Sequence, residues 1–274
     1  MRIFLIVISG VFIGLVSCSV QKNYAKKWIR NSDTIHILVL NTERVSKNCS
    51  DYRRLDSSND MHQALITEDC FMIGEINDSD FCKSYYNQLI SSLKQYPIVR
   101  VYGEGQIGDF FNKNNKSFIF NLAQVEIEEF LSLYEDDAQF DTLVYYQCFN
   151  LNNLGLYSWF EVTEPNQTER AMTIVYSDYI IKDKIDGGFR YNIFTTDVDY
   201  VHSKKRISVQ DIEKVSVMSA QQNASYIFDY VMNQCIAQDL YGRKIKMKYL
   251  SYKLGKKKIS KAYTQRFVNL STDL

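Results

Sequence analysis

The sequence predicts a single α/β domain of the α+β kind, with a mostly antiparallel sheet of about six to eight strands packed against two main helices. Three observations predict it. Residues 78–96 and 208–240 repeat apolar side chains at helical spacing. Most other apolar runs are short, rich in β-branched and aromatic residues, and bounded by turn residues. No Pro/Gly/Ser-rich linker divides the chain, whose 274 residues include two prolines, Pro97 and Pro165. That length is enough for a full core in one domain. The expected organisation is a leader over 1–17, a tether over 18–33 and one domain over 34–274.

Thr34 to Leu40 (TIHILVL) is a β-branched run and the first strand, with His36 as a strand-face or core histidine. Asn41 to Asp69 is polar and reads as a long loop. Asp78 to Tyr96 is a helix: Asp78 or Ser79 caps it, Phe81, Tyr85, Leu89 and Leu93 line one face, and Pro97 ends it. Ile98 to Tyr102 is a short strand. Ser117 to Tyr134 reads as a long strand with a bulge, with a helical second half as the alternative. Thr142–Phe149, Leu154–Val162 and Ala171–Ile181 are three strands of an antiparallel meander, separated by turns at Asn152-Asn153 and 164–168. Asp186-Gly187-Gly188 is a turn before a strand over Phe189 to Phe194. Ser208-Val209-Gln210-Asp211 resembles a capping box that opens the second helix. Gly242 closes that helix, and a run of Ser and Asn near its middle suggests a kink. Lys244 to Tyr252 alternates, giving a half-buried strand with a basic wet face, and 262–270 adds a last strand.

Lys+Arg and Asp+Glu both number 32, a formal net charge of +0, so no bulk field points to nucleic acid. The charge is unevenly spread. Ten Lys/Arg and one acid, Asp273, lie between Tyr241 and Leu274, whereas Glu126 to Asp141 holds seven acids and no base. Of the six cysteines, Cys49 and Cys70 flank a polar loop and form the expected disulfide. Cys82, Cys148 and Cys235 fall within apolar patterns and read as small buried hydrophobes.

The first eighteen residues carry the clearest functional signal. Arg2 precedes an apolar run from Ile3 to Val16, too short for a bilayer span of about 20 residues, and a small residue precedes the cut. This is the form of a secretory signal peptide. Leu15-Val16-Ser17-Cys18 resembles the bacterial lipobox. The resemblance implies cleavage after Ser17 and acylation of Cys18, because several acyl chains together give stable anchoring. Ser19-Val20-Gln21-Lys22 lacks the Asp that marks inner-membrane retention and the acidic run that marks surface export. The resemblance therefore implies the periplasmic face of the outer membrane.

No catalytic motif appears: there is no GxSxG, HExxH, Walker loop or GxGxxG, and none of His36, His62 and His202 sits in a hydrolase-like context. No Cys/His cluster has metal spacing, so neither a metal nor another cofactor is expected. Glu126, Glu128 and Glu129 read as carboxylates on the wet face of a strand. Tyr157, Trp159, Tyr176 and Tyr179 crowd the meander and are the candidate rings for stacking on a glycan or peptide, against the plainer reading of strand core. Lys244, Lys246, Lys248, Lys256, Lys257 and Lys258 form the candidate basic contact surface for an anionic lipid or acidic partner.

The order of lipobox, early buried strand, helix Phe81…Tyr85…Leu89…Leu93, strand Ile98–Tyr102 and strand ending Ile127-Glu128-Glu129-Phe130 resembles periplasmic lipoproteins with a TolB-N-terminal-like fold, including auxiliary lipoproteins of envelope transport. Trp159-Phe160-Glu161, Tyr176-Ser177-Asp178-Tyr179 and Phe228 to Asn233 resemble uncharacterised Bacteroidota outer-membrane lipoproteins. The likeness implies a non-enzymatic accessory lipoprotein that binds a protein partner or lipid during outer-membrane assembly or envelope transport. A glycan- or peptide-binding lipoprotein is the alternative, and a hydrolase with an unrecognised site is the third.

Overall fold

The computed structural model describes residues 20–42, 45–50, 72–112, 116–164, 172–243, 247–262 and 266–270. Ser17, Cys18, His62, Cys70, Lys244 and Lys246 lie outside the described residues.

The fold is α+β. Helix α1 (20–31) leads into β1 (Ile35–Leu40), and β2 (Val45–Ser50) follows. Helix α2 (Asp78–Leu93) then crosses to β3 (Val99–Tyr102). The short helix α3 (Ile107–Phe111) precedes two long strands, β4 (Ser117–Phe140) and β5 (Leu143–Thr163). β6 (Thr173–Lys182), β7 (Lys184–Tyr191) and β8 (Val198–Lys205) come next. Helix α4 (Val209–Asp239) is followed by β9 (Leu250–Lys253), β10 (Lys258–Lys261) and β11 (Val268–Asn269).

Seven strands make the main sheet, in the order β11-β6-β5-β4-β1-β3, with β2 also on β4. β1 runs parallel to both β3 and β4, and β2 parallel to β4. β4, β5, β6 and β11 pair antiparallel. β1 is buried on both faces, which is why it reads as a continuous apolar run rather than an alternation. The β4–β5 register shifts between Leu122 and Gln124, the bulge expected in this strand.

Helices α2 and α4 cover one face. The Asn77 side chain accepts from the Asp80 amide at 3.2 Å and starts α2 one residue before the expected cap. Ser208 and Asp211 form the capping box of α4, which continues unbroken to Asp239. Under the helices lie Leu154, Leu156, Phe160, Val162 and Val175 of the sheet, packed with Phe81, Tyr85, Leu89, Ile227, Phe228 and Val231. A buried polar chain crosses this layer: Ser177 Oγ donates to Asn223 Oδ1, Asn223 Nδ2 donates to the Tyr85 hydroxyl, and Tyr85 shares a hydrogen bond with Ser158 Oγ at 3.0 Å. It ties α2, α4, β5 and β6 into one register, since each member is costly to leave unpaired in the core.

Beyond the body, β4 and β5 go on as a pair with no further described strand beside them. The β2 pairing ends at Phe130 and the β6 pairing at Asn153. Residues 131–140 and 143–152 form a two-stranded ribbon that extends roughly 33 Å at about 3.3 Å per residue. The β7–β8 hairpin lies on one face of it. Tyr200 OH donates to Asp136 at 2.9 Å, and ring pairs Phe149–His202 (4.5 Å), Phe149–Tyr200 (5.4 Å) and Phe140–Tyr191 (6.1 Å) fill the space between. The two hairpins make an arm. Asp183 fixes its root: buried, it accepts from the amides of Asn152 and Ile207 and pairs with Lys204 at 3.2 Å.

Several expectations are corrected. Residues 20–31, read as part of a tether, are a docked helix: Gln21, Ala25 and Trp28 recur at helical spacing on its buried side. Residues 45–50, read as loop, are β2. Asn152-Asn153 is not a turn but lies inside one strand, where the Asn153 amide donates to the Phe130 and Leu151 carbonyls. Gly187-Gly188 also lies within a strand. A Cβ at Gly187 would sit 2.7 Å from the Val201 carbonyl oxygen, so the close approach of β8 requires glycine there. Glu128 and Glu129 are buried rather than wet: Glu128 accepts from Tyr157, and Glu129 from the amides of Met72 and Ile73. Of the strand expected over 244–252, residues 244–246 lie outside the described residues, 247–249 are not strand, and β9 begins at Leu250.

Candidate functional site

The expected basic surface is built on the β9–β10 hairpin. Its base is firm: Leu250, Tyr252 and Ile259 are buried, and Ser251 Oγ meets Ser260 Oγ at 3.1 Å. Two side chains of α4 hold it. Asn233 accepts from the Leu250 amide at 2.9 Å and donates to its carbonyl at 2.7 Å, and Asp229 Oδ1 accepts from the Tyr252 amide at 2.7 Å. Gln21 of α1 makes the same two-way pairing with the backbone of Lys248, at 3.0 and 2.7 Å. From this base Lys256, Lys257 and Lys258 project at the turn and are exposed, with Lys253 beside them. Among the described residues none of the four has a carboxylate within 4.0 Å. Lys248 is half-buried and is held by its backbone rather than presented. The structure thus brings Lys256, Lys257 and Lys258 together and sets Lys248 apart.

The aromatic candidates divide between the two faces of the sheet. Tyr157, Trp159 and Tyr176 gather on the face away from α2 and α4: Trp159–Tyr176 centroids are 5.1 Å apart, and Tyr157 and Tyr176 stack at 6.2 Å. Tyr157 is buried, with its hydroxyl on Glu128, so it supports the other two rings. On the same face Asn121 donates to Glu161 at 2.8 Å, and Asn48 donates to Glu126. Tyr179 is on the helix side, its hydroxyl against Met218 Sδ at 3.3 Å. It does not belong with the other three, and strand parity explains the split: Trp159 pairs with Tyr176, three residues before Tyr179.

Two further features were not foreseen. A groove of about 720 Å³ lies between the first turns of α2 and α4, lined by Phe81, Ile212, Val217 and Met218, with Asp80 and Glu213 also in its wall. Next to the hairpin base, Asp229 is fully buried; among the described residues its Oδ2 accepts no hydrogen bond, and it lies 3.8 Å from Arg266 Nε. Burial pushes its carboxyl up to about 7, against the opposing pull of the Tyr252 amide and Arg266. His36, in contrast, is buried beside the Tyr102 hydroxyl at 2.8 Å and serves the core.

Cys49 is disulfide-bonded, whereas Cys82, Cys148 and Cys235 carry free thiols. Burial pushes the Cys235 thiol up to about 12, which keeps it protonated and unreactive. Among the described residues no group of three His, Cys, Asp or Glu side chains is placed to hold a metal ion. No described helix is long and apolar enough to cross a membrane.

No family model matches the sequence. The search of curated proteins likewise found no match. Among solved structures, the chain is similar to a neuraminyllactose-binding hemagglutinin homolog from Helicobacter pylori, over 78% of this chain and 85% of that one, with 10% sequence identity and a TM-score of 0.27.

Proposed function

We propose that this protein is a non-enzymatic accessory lipoprotein of the outer membrane, acylated at Cys18, facing the periplasm and binding an envelope partner during assembly or transport. The observation that supports this reading is the β9–β10 hairpin, which presents Lys256, Lys257 and Lys258 on a rigid base without a described carboxylate to neutralise them. Uncompensated cations on an ordered protrusion steer and orient an acidic protein surface, because their geometry is set before contact. The test is cross-linking of the native lipoprotein in its own membrane, followed by mass spectrometry of co-purified proteins. Recovery of a specific envelope protein should fall at least roughly tenfold when Lys256, Lys257 and Lys258 are all changed to Glu. Equal recovery from the charge-reversed protein would remove the hairpin from the contact. Replacement of Cys18 by Ala should release the protein from the membrane fraction.

A second reading rests on the sheet face away from α2 and α4. Trp159 and Tyr176, flanked by Asn121, Glu161, Asn48 and Glu126, combine ring faces with hydrogen-bonding amides and carboxylates, the chemistry that a neutral glycan engages. Glycan-array binding that disappears in Trp159→Ala would favour this reading over the first.

A further inference from the structure

The arm has two edges of opposite character. Along β4 its edge carries Glu135, Asp136 and Asp137, the kind of charge that blocks strand addition. Along β5 the stretch Leu143 to Asn152 (LVYYQCFNLN) contains no charge, no proline and no glycine. Asn152 turns its backbone toward Asp183, with its amide on Asp183 Oδ2 and its carbonyl accepting from the Asp183 amide. Backbone groups alternate along a strand, so Asn150, Cys148, Tyr146 and Val144 turn theirs to the same side. The Asn150 carbonyl accepts from Lys204 Nζ at 2.7 Å. No described strand pairs with this side of residues 144–148.

The same end of the arm is apolar. Leu143, Val144, Tyr146, Tyr191, Ile193 and Phe194 are 61%, 67%, 56%, 47%, 72% and 91% exposed. At about 150–250 Å² for a large side chain, they expose roughly 700 Å². Strand parity divides this surface between the two faces of the ribbon, Val144 and Tyr146 on one and Leu143 with Phe140 and Tyr191 on the other, so apolar side chains flank the open edge on both sides.

We propose that the β5 edge is a self-association site: residues 144–148 of one chain pair antiparallel with the same residues of a second copy, with Tyr146 opposite Tyr146 of the other chain. Charge decides the occupant. The arm's tip is acidic, with exposed Asp141, Asp197 and Asp199, and its root is basic, with exposed Lys182, Lys184 and Lys205. In this register Asp141 of one chain falls opposite Leu151 of the other, beside the β6 end at Lys182 and the β7 start at Lys184. Each acidic tip therefore meets a basic root, twice, through the two-fold axis. The uncharged strand between them pairs with itself without repulsion.

The full-length lipoprotein in detergent, its mass measured by light scattering, should be a dimer. Tyr146→Pro should convert it to a monomer, because the amide it removes faces the open edge and the ladder to β4 is retained. Val144→Lys should do the same by charge, with circular dichroism confirming that both variants remain folded. Oxidised Tyr146→Cys should yield a covalent dimer that neither the wild type, with its native Cys148, nor Glu135→Cys on the other edge yields. A monomeric wild type at about 100 μM, within the range where weak assemblies form, or dimers that persist in both edge variants, overturns the proposal. Cross-linking of Tyr146→Cys in the native membrane to a different protein overturns it in favour of a heterologous partner.

Discussion

Asp229 gives the sharpest single-residue prediction. Its carboxyl is raised to about 7 by burial, against about 3.9 in an unfolded chain. Between those values the folded state holds a proton that the unfolded state has released, so stability falls as pH rises. The contribution is complete below about pH 4, is lost through pH 7, and is on the order of 4 kcal/mol. Urea unfolding should therefore show the protein more stable at pH 5 than at pH 8, and Asp229→Asn should flatten that difference. An equal pH slope in the variant would assign the effect to other groups. Nothing in Phe228-Asp229-Tyr230 marks Asp229 as buried beyond its apolar neighbours, and its partner Arg266 lies far along the chain. Glu128 and Glu129 were hidden for the same reason. Their partners, Tyr157 and the amides of Met72 and Ile73, belong to other elements. A carboxylate's partner is legible in sequence only when it is local, as with Asp211 and Ser208 in the capping box. Lys214 and Ser208 together hold the Asp211 carboxyl well below the usual range.

At the scale of elements, α2 and α4 were readable because their apolar stripes are long and their caps are local. β1 was readable because both faces are buried. The arm was not. Its strands bury one face against a few rings and leave the other wet, so β8, Val198 to Lys205, shows charges where a core strand shows Val or Ile. α1 was missed because Trp28 is its one large buried anchor and Gln21 is polar. Of the candidate residues, Lys256, Lys257 and Lys258 share one turn and Tyr157, Trp159 and Tyr176 one sheet face, as local pattern suggests, whereas the burial of Tyr157 and the separation of Tyr179 needed the strand register. The β9–β10 hairpin should prove dependent on α4. Asn233→Ala leaves both backbone groups of Leu250 without their side-chain partner, a cost of about 1–3 kcal/mol. Hydrogen exchange should then speed up at residues 250–252 and 258–261, with α2 unaffected. Uniform acceleration across the chain would mean that the hairpin opens only with the whole fold.

The molecule as a whole has a dense body and a slender arm. The body combines helices α1 to α4, a seven-stranded sheet and a continuous core, while the arm is joined to it by strand continuity and by Asp183. Hydrogen exchange should resolve two cooperative units, with residues 133–150 opening at a lower free energy than Leu154 to Val162 of the same strand. A single protection level along β5 would show that the arm and body unfold together. The pairing of Gln21 with Lys248 spans 227 positions. At about 5–20 residues per second, the complement to Gln21 leaves the ribosome roughly 10–45 s after Gln21 itself. Through that interval Gln21 lacks its partner and that end of α1 is not held. The stretch around Lys248 is the one that shuts that window.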